Sequence, residues 1–459
     1  MEQAGIELLR HQLRLFGLHA RTARDIEIVA APDAAILVDR RCGHLLIALQ
    51  PQADFVAALG GRSARGDSVL EFAEAAVIGI APRSLHASQA YECASAQILL
   101  RDADQRAIWF HVETGDGDII VIGTDLIGDL VRYRQGDPAR VGHNAEGSRW
   151  GFAFERPNYL YEAQLDAAAP RRRYADEWAW LLMRSVADIL RVTPGPLLPG
   201  GARGALVITG DDDQACLDKY AEQRQLLRGL PCTYFMHPLT KHTRRTARQM
   251  FDGRVELALH PDALDAPAAY AQKLAEQASW FTGAFGRRAR SVRNHGFLND
   301  GYWNHLPAWQ AAGIEFSSNV PGVDGTVLTG SLIPTRVIAN EGLTSHWSVL
   351  TAFGDGMLFA LGMADADAGE HMRMVGREVL RSPIPGVLVV NLHPQNVGET
   401  HAVHTALRAM VADGFVPWNM AECLSWFKAA DARGDEVETS GPLQRLWSRV
   451  AGLVKVGHE

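Results

Sequence analysis

Apolar runs in the second half of the chain are each followed at once by polar residues, and this pattern predicts a series of buried strands. The clearest run is ALVIT at 205–209, which has the length and the β-branched content of a strand buried on both faces. Three acids, Asp211, Asp212 and Asp213, follow it after one glycine. Adjacent carboxylates repel one another unless water or a cation compensates them, so this position indicates a metal ion or proton chemistry.

Four further apolar runs end in the same way. They are followed by His237, by His260 and Asp262, by Arg293 and His295, and by His393. When strands alternate with helices, the carboxyl ends of the parallel strands gather on one face, where the connecting loops form the active site. Residues that are far apart in the sequence are therefore expected to share one pocket.

The segment after the three acids, QACLDKYAEQRQLLRG, has the pattern of an amphipathic helix. Asp213 stands where the side chain of an N-cap residue would accept a hydrogen bond from the first turn. Capping of this helix therefore explains Asp213, whereas Asp211 and Asp212 are the acids expected to bind a metal ion or transfer a proton.

The first 195 residues predict a mixed α/β domain. AAILVDR at 34–40 and HLLIALQ at 44–50 are expected to be adjacent strands, followed by a short helix in QADFVAALG and a strand in AAVIGIAP. Residues 95–126 predict strands joined by turns at 102–105 and 115–117. Three prolines and four glycines at 192–204 interrupt helix and strand patterns and mark the expected boundary of this domain.

Composition narrows the classes of protein. With 459 residues and 47% apolar content, the chain is long enough for two or three domains, and its net charge of -8 argues against nonspecific binding to nucleic acid. The five cysteines form no C-x-x-C pair and predict buried, reduced thiols. The amino terminus lacks the apolar core of a signal peptide, and no apolar run is long enough to span a membrane. We therefore expect a cytoplasmic protein without a membrane span.

The strand ends resemble the motifs of the polysaccharide deacetylases of the NodB-homology type, also called carbohydrate esterase family four. Residues 209–212, TGDD, follow the family's Thr-x-Asp-Asp order, which makes Asp211 the expected general base and Asp212 the expected metal ligand. His260, with Glu256 four residues before it, resembles the family's metal-binding His at the end of the third strand.

Two later motifs extend this resemblance. Arg293 stands where the family has an Arg held against the base, and His393, preceded by Leu392, stands where a late His serves as the acid. The resemblance covers roughly residues 200–430. It implies an α/β protein in which a C-terminal (β/α)-barrel of the polysaccharide deacetylase type follows the mixed α/β N-terminal domain.

The chain departs from the family pattern at one metal ligand. The family usually carries a second metal-binding His four residues after the first, but the four residues after His260 are PDAL. Where the family has Arg-x-Pro, this chain has RNH at 293–295, which offers another imidazole. The expected ligand set is Asp212, His260 and His295, with Asp262 and His237 as alternatives for the third ligand.

Three protein ligands with an open fourth position are typical of catalytic zinc, so zinc is the expected divalent cation. Such an ion activates water and polarises a carbonyl oxygen. In this interpretation Asp211 takes a proton from the attacking water, Arg293 keeps Asp211 ionised, and His393 protonates the departing amine. The predicted reaction is the removal of an acetyl group from an N-acetylated sugar or glycan precursor.

Three further predictions concern the rest of the chain. Ser317, Ser318 and Asn319, at the end of a predicted strand, are expected to line the pocket and bind the carbohydrate, although such residues are also ordinary turn formers. Residues 1–195 resemble a glutamine-amidotransferase-like domain, but Cys42 and Cys93 lack the tight glycine-rich elbow of its nucleophile, so this domain is expected to be noncatalytic. Residues 431–459 predict a polar linker and a short amphipathic helix that docks on its own chain or on a second copy in a homo-oligomer.

Two other functions fit the same residues. The absent second His favours a noncatalytic carbohydrate-binding protein with a degenerate barrel, and a third hypothesis is an amidohydrolase that acts on a nonsugar amide. Metal content separates the enzyme from the binding protein, and a screen for acetate release over sugars and simple amides separates the two hydrolases.

Overall fold

The structure, a computed structural model, describes residues 2–18, 26–38, 44–64, 72–75, 79, 82–142, 156–213, 215–299, 301–339 and 342–433. Within these residues the chain forms an eight-stranded sheet followed by a nine-stranded sheet. Cys42 and the predicted helix after residue 433 lie outside the described residues.

The N-terminal sheet combines parallel and antiparallel strands. Its strands are β1 Ile26–Ala30, β2 His44–Leu49, β3 Arg62–Ser63, β4 Phe72–Ala75, β5 Tyr91–Glu92, β6 Gln97–Asp102, β7 Ala107–Thr114 and β8 Gly117–Ile122. Strands β1, β2 and β8 are parallel, whereas β7 pairs antiparallel with both β6 and β8. The predicted strand at 44–50 and the consecutive hairpins β6–β7–β8 are therefore confirmed.

The predicted strand at 34–40 is wrong. Residues Ala34–Leu37 form a 3₁₀ turn, and the strand next to β2 is β1 instead. The side chain of Asp33 accepts a hydrogen bond of 3.0 Å from the backbone nitrogen of Ala35. This local acceptor competes with pairing in a sheet and begins a turn, an effect that apolar content alone does not reveal.

Twelve α-helices lie within the described residues. They are α1 Glu2–Leu15, α2 Ala53–Ala58, α3 Leu126–Gln135, α4 Tyr174–Ile189, α5 Leu217–Leu227, α6 Arg244–Met250, α7 Tyr270–Phe285, α8 Leu306–Ala311, α9 Asp355–Ala360, α10 Asp365–Arg381, α11 His401–Ala412 and α12 Met420–Ala432. None of them is both long enough and apolar enough to cross a bilayer.

The second sheet closes into a barrel. Its strands are β9 Gly204–Asp211, β10 Cys232–Met236, β11 Val255–Leu259, β12 Ser291–Val292, β13 Phe316–Pro321, β14 Thr335–Ala339, β15 Gly342–Gly354, β16 Gly386–Asn391 and β17 Val416–Trp418. Seven strands form a parallel ring in the order β9-β10-β11-β12-β13-β15-β16, and β16 returns to pair with β9. Strand β14 is antiparallel to β15, and β17 pairs with the beginning of β9. The predicted (β/α)-barrel is confirmed.

Side chains of β9 alternate between two hydrophobic clusters. Ala205 and Val207 belong to one cluster, and Leu206 and Ile208 belong to the other. This alternation follows from the pleat of a strand, in which successive side chains point to opposite faces. Because Asp211 is the last residue of β9, the same alternation places Asp211 and Asp212 on opposite faces of the strand.

The two sheets share packing across the predicted boundary at 192–204. Helix α1 packs against β15 of the barrel and against α12, and His11 Nδ1 lies 3.0 Å from Asp431 Oδ1. Residues Trp178 of α4 and Val207 of β9 belong to one buried cluster. The division into a domain at 1–195 and a domain at 200–430 stays a prediction, and the shared cluster indicates that the two parts stabilise each other.

The described cysteines match the predicted thiols only in part. Cys232 and Cys423 are buried, Cys93 is half-buried, and Cys216 is exposed, and all four are free. The prediction of burial is wrong for Cys216, because it lies at the exposed start of α5.

Candidate metal centre and active site

The carboxyl ends of the barrel strands gather the candidate residues as the strand pattern predicts. Asp211 ends β9, while His260, Arg293 and His393 follow β11, β12 and β16 by one or two residues. Because these strands run parallel in a closed ring, their ends meet at one rim of the barrel.

Arg293 is buried in the barrel interior and binds Asp211. Its Nη1 donates to Asp211 Oδ1 at 2.8 Å and to Thr209 Oγ1 at 2.9 Å. Its Nε and Nη2 donate to the backbone oxygen of Ser318 at 3.1 Å and to Thr351 Oγ1 at 3.1 Å. The guanidinium also lies over the ring of Phe235, 4.4 Å from its centroid. This set of contacts fixes the position of the Asp211 carboxylate.

The second oxygen of Asp211 faces the open part of the site. Oδ2 accepts a hydrogen bond of 2.7 Å from Asn391 Nδ2 and lies 4.0 Å from His260 Nε2 and 3.9 Å from His393 Nε2. Burial alone would raise the pKa of Asp211, but Arg293 and the two imidazoles outweigh burial and lower it. Asp211 is therefore ionised and oriented, as a proton acceptor requires.

Asp213, His260 and His295 form a cluster of three potential metal ligands. Asp213 Oδ1 lies 3.5 Å from His260 Nε2 and 3.6 Å from His295 Nε2. His260 Nδ1 lies 2.7 Å from the backbone oxygen of Arg293, so it carries the proton of the neutral ring and leaves the Nε2 lone pair facing the cluster.

The donor set of this cluster fits a divalent cation. Asp213 Oδ1 is buried and has no hydrogen-bond partner among the described residues, while Oδ2 accepts from Gln395 Nε2 at 3.1 Å. A carboxylate oxygen and two imidazole nitrogens are ligands that zinc commonly takes in catalytic sites. Burial would raise the pKa of Asp213, but His260, His393 and His295 together lower it.

Asp212 lies on the other side of the strand, which differs from the predicted ligand set. It is fully buried, and its backbone nitrogen donates to the backbone oxygen of Phe235 at 2.9 Å. Burial and then the nearby Asp212 carboxylate raise the pKa of Tyr220, a residue of the outer cluster. The pleat of β9 continues through the acids, so Asp211 and Asp213 share the barrel face and Asp212 points away from it.

Asp213 is also not the N-cap of the next helix. Helix α5 begins at Leu217, its N-cap is Cys216, and no side-chain hydrogen bond caps it. The helix starts later than the amphipathic pattern indicates, and Asp213 is free to face the imidazoles.

His393 is held by an acid from the start of α9. Asp355 Oδ1 lies 2.5 Å from His393 Nδ1, and Asp355 Oδ2 accepts from the His393 backbone nitrogen at 2.9 Å. Burial would lower the pKa of His393, but Asp355, Asp211 and Asp213 raise it to about 10. The free Nε2 faces Asp213 Oδ2 at 3.6 Å, so His393 is a charged proton donor at the rim.

A cavity of about 350 Å³ opens above these residues. Its polar lining includes Asp211, Asp213, His260, His295, Asn391 and His393. Its other walls come from Leu264, Phe297, Met357 and Ala360, and Arg156 contributes from the segment before the barrel. This volume is in the range of small-ligand pockets.

The predicted substrate-binding residues do not line this cavity. Ser317 Oγ contacts His346 Nε2 at 2.9 Å on the outer side of β13, whereas Ser318 Oγ contacts Arg293 and Thr351 inside the barrel. Asn319 Oδ1 accepts from the backbone nitrogen of Asn294 at 3.0 Å. All three are buried with protein partners, because β13 continues to Pro321 and the strand does not end where the turn formers suggest.

The two alternative ligands, His237 and Asp262, meet His295 on its other side. His237 Nε2 lies 3.2 Å from Asp262 Oδ2, and Asp262 Oδ1 lies 3.4 Å from His295 Nδ1. These three residues also form a cluster with the spacing of metal ligands. His295 thus stands between two groups of polar side chains.

Sequence reasoning missed three residues of the site. The signal for Asp213 was present, since alternation along β9 pairs it with Asp211 rather than with Asp212. Asn391 lies two residues before His393, and its position at the end of β16 was a usable signal. Asp355 directly follows β15, so its position at a strand end was also a usable signal.

Solved structures that resemble this protein cover about half of the chain. No protein-family model matches the sequence, and no curated protein matches it. A crystal structure described as a polysaccharide deacetylase from Mycobacterium smegmatis is 17% identical with a TM-score of 0.39, covering 52% of this chain and 95% of that chain. A peptidoglycan deacetylase from Bacillus subtilis is 10% identical with a TM-score of 0.34, covering 53% and 100%. A pseudoenzyme of carbohydrate esterase family four from Bacillus anthracis is 13% identical with a TM-score of 0.32, covering 51% and 71%. These structures represent the family that the sequence motifs resemble.

Proposed function

We propose that this protein is a metal-dependent hydrolase that removes an acetyl group from an N-acetylated sugar or glycan precursor. The observation that carries the proposal is the orphaned Asp213 Oδ1, which is buried and faces the Nε2 atoms of His260 and His295. We propose these three residues as the metal ligands, with zinc as the expected ion.

The neighbouring residues supply the proton transfers of amide hydrolysis. A divalent cation bound by Asp213, His260 and His295 would supply positive charge that favours deprotonation of a water and polarises the acetyl oxygen. Asp211 Oδ2 takes the proton of the attacking water, because Oδ1 is held by Arg293. His393 Nε2 gives a proton to the departing nitrogen as the carbon–nitrogen bond breaks. The products are acetate and a free amine.

The residues that line the cavity favour a small substrate. Leu264 and Met357 offer apolar contacts for an acetyl group or a sugar face, and Arg156 offers a cation at the same opening. In this proposal residues 1–195 are noncatalytic, and their part in the site is the wall that Arg156 supplies.

Metal content and acetate release test the proposal together. The purified protein should take up one equivalent of Zn²⁺ and release acetate from at least one N-acetylated sugar in a substrate screen. Asp213→Asn should lose the metal, Asp211→Asn should keep the metal and lose turnover, and Asp212→Asn should keep the metal. Protein that binds no divalent ion after gentle metal supply would be a carbohydrate-binding protein instead, and release of acetate from simple amides alone would favour a nonsugar amidohydrolase.

A further inference from the structure

The loop after His260 contacts His295 through both its backbone and a side chain. The backbone nitrogen of His295 donates to the backbone oxygen of Pro261 at 2.9 Å. On the next residue, Asp262 Oδ1 lies 3.4 Å from His295 Nδ1. That buried nitrogen has no hydrogen-bond partner among the described residues, and the Asp262 carboxylate faces it across this 3.4 Å separation. The loop that lacks the usual second His therefore holds an imidazole from another strand end.

The position of Asp262 does not depend on its carboxylate alone. The side chain of Gln277 on α7 accepts from the backbone nitrogen of Asp262 at 2.8 Å and donates to the backbone oxygen of Asp262 at 2.7 Å. This pair of amide contacts fixes the backbone of residue 262 to a helix. The carboxylate is thus presented to His295 by a rigid support.

Hydrogen-bond directions assign the protons around Asp262. His237 Nδ1 accepts from the backbone nitrogen of Leu239 at 3.1 Å, so in the neutral ring the proton resides on Nε2. That Nε2–H donates to Asp262 Oδ2 at 3.2 Å. A cation on His237 Nε2 would displace this proton, and Nδ1 cannot take the proton because it already faces an N–H group. The arrangement therefore disfavours a second metal ion among His237, Asp262 and His295.

We infer that His237 and Asp262 are positioning residues that fix the ring of His295 as a metal ligand. His237 donates to Asp262, Asp262 accepts from His295 Nδ1–H, and His295 Nε2 is left with its lone pair toward Asp213. A carboxylate behind a metal-binding imidazole fixes the tautomer and the ring orientation, and it makes the ring a stronger ligand. This inference rests on the proposed metal site, and it explains how an imidazole from the loop after β12 replaces the absent second His.

Zn²⁺ affinity of the full-length protein tests the inference without reference to turnover. The apo protein and its variants are titrated with Zn²⁺ against a chromogenic chelator, which gives stoichiometry and Kd. Asp262→Asn should weaken Zn²⁺ binding by about 10–100-fold, the usual effect of removing a carboxylate behind an imidazole ligand. Asn at 262 can still accept from the backbone nitrogen of Leu264, as Asp262 does at 3.0 Å, so the loop should keep its turn. His237→Phe should weaken binding less than Asp262→Asn.

A matched control and a double variant separate positioning from general damage. Asp265→Asn removes an exposed acid of the same loop that pairs with Lys273, and it should leave Kd unchanged. In a His295→Ala background, Asp262→Asn should cause no further loss of affinity, because its effect passes through that ring. A purely structural role would lower affinity equally in both backgrounds.

The possible failures are distinguishable. One Zn²⁺ bound with the same Kd in wild type and Asp262→Asn would overturn the positioning role while leaving the metal site intact. Two Zn²⁺ in wild type that fall to one in His237→Phe would show a second metal site in place of the positioning pair. A wild-type protein that binds no Zn²⁺ would remove the proposed function and this inference together.

Discussion

The buried pair of Arg293 and Asp211 predicts that two destabilising substitutions should partly cancel. Arg293→Met leaves the Asp211 carboxylate buried without its cation, which should lower the free energy of unfolding by about 3–5 kcal/mol. Asp211→Asn should lower it by about 2 kcal/mol, because the guanidinium keeps its bonds to Ser318 and Thr351. The double variant carries no uncompensated carboxylate at this position. It should be more stable than Arg293→Met by about 1–2 kcal/mol.

The magnitude follows from the distance and the burial of the pair. At a separation of 2.8 Å between Nη1 and Oδ1, the attraction is about 6 kcal/mol at an effective dielectric constant of ~20. Asn391 and the nearby imidazoles compensate Asp211 in part when the arginine is removed. The measured coupling should therefore be about 3 kcal/mol, toward the upper end for residues in contact.

Urea unfolding of wild type, both single variants and the double variant measures this coupling. The experiment is done with a chelator present, because a bound metal ion would add its own linkage to the free energy of unfolding. The exposed pair of Arg290 and Glu315, with Nε and Oε1 3.2 Å apart, is the matched control and should couple by less than about 1 kcal/mol. Additive effects of the two buried substitutions, within about 0.5 kcal/mol, would refute the reasoning.

Three other predictions concern the acid, the cavity and the stability at low pH. Asp355→Asn should lower kcat by about 100-fold with little change in KM or metal content, because His393 loses the carboxylate that keeps it charged; an unchanged kcat would contradict the assigned acid. Met357→Trp should fill the cavity and raise KM at least about 10-fold while Zn²⁺ uptake stays the same, and normal KM would place the substrate elsewhere. Burial lowers the pKa of His346 from the ordinary value of 6.5 to about 4, so the folded chain favours the neutral ring. The free energy of unfolding therefore decreases as the pH falls from 6.5 toward 4. At pH 5 the loss is about 2 kcal/mol, and urea unfolding should show a smaller difference between pH 7 and pH 5 in His346→Gln than in wild type; an equal difference would show that His346 is not the group responsible.

The barrel could be predicted from the sequence because its strands repeat one local pattern, an apolar run followed by polar residues. Strands β10, β11 and β16 are mainly apolar runs close in length to ALVIT at 205–209, and polar residues follow them at the same rim. The strand predicted at 34–40 was wrong, because the Asp33 side chain accepts a hydrogen bond that begins a 3₁₀ turn in an apolar segment. The packing of α1 against β15 could not be predicted from the sequence, because the two elements are far apart along the chain.

The site was predictable where a charged residue or a histidine follows one of the apolar runs recognised in the sequence. His260, Arg293 and His393 could be placed from the strands that precede them. Asp212 was chosen over Asp213 because the motif order was followed instead of the pleat, which sends adjacent side chains to opposite faces. Ser317 to Asn319 were chosen as turn formers, but the strand continues past them and buries them.

The replacement of one ligand changes how the proposed metal site depends on the fold. In the motif that the sequence resembles, two imidazoles come from one loop, so one strand end supplies most of the site. Here Asp213, His260 and His295 follow β9, β11 and β12, and β10 lies between β9 and β11 in the ring. The three ligands come together only when β9, β10, β11 and β12 are paired. An ion that binds all three should therefore stabilise the folded barrel. By mass action the gain is about 2.7 kcal/mol at a free Zn²⁺ concentration of 100 times Kd, and it should vanish in Asp213→Asn, where the loop and the barrel are otherwise intact.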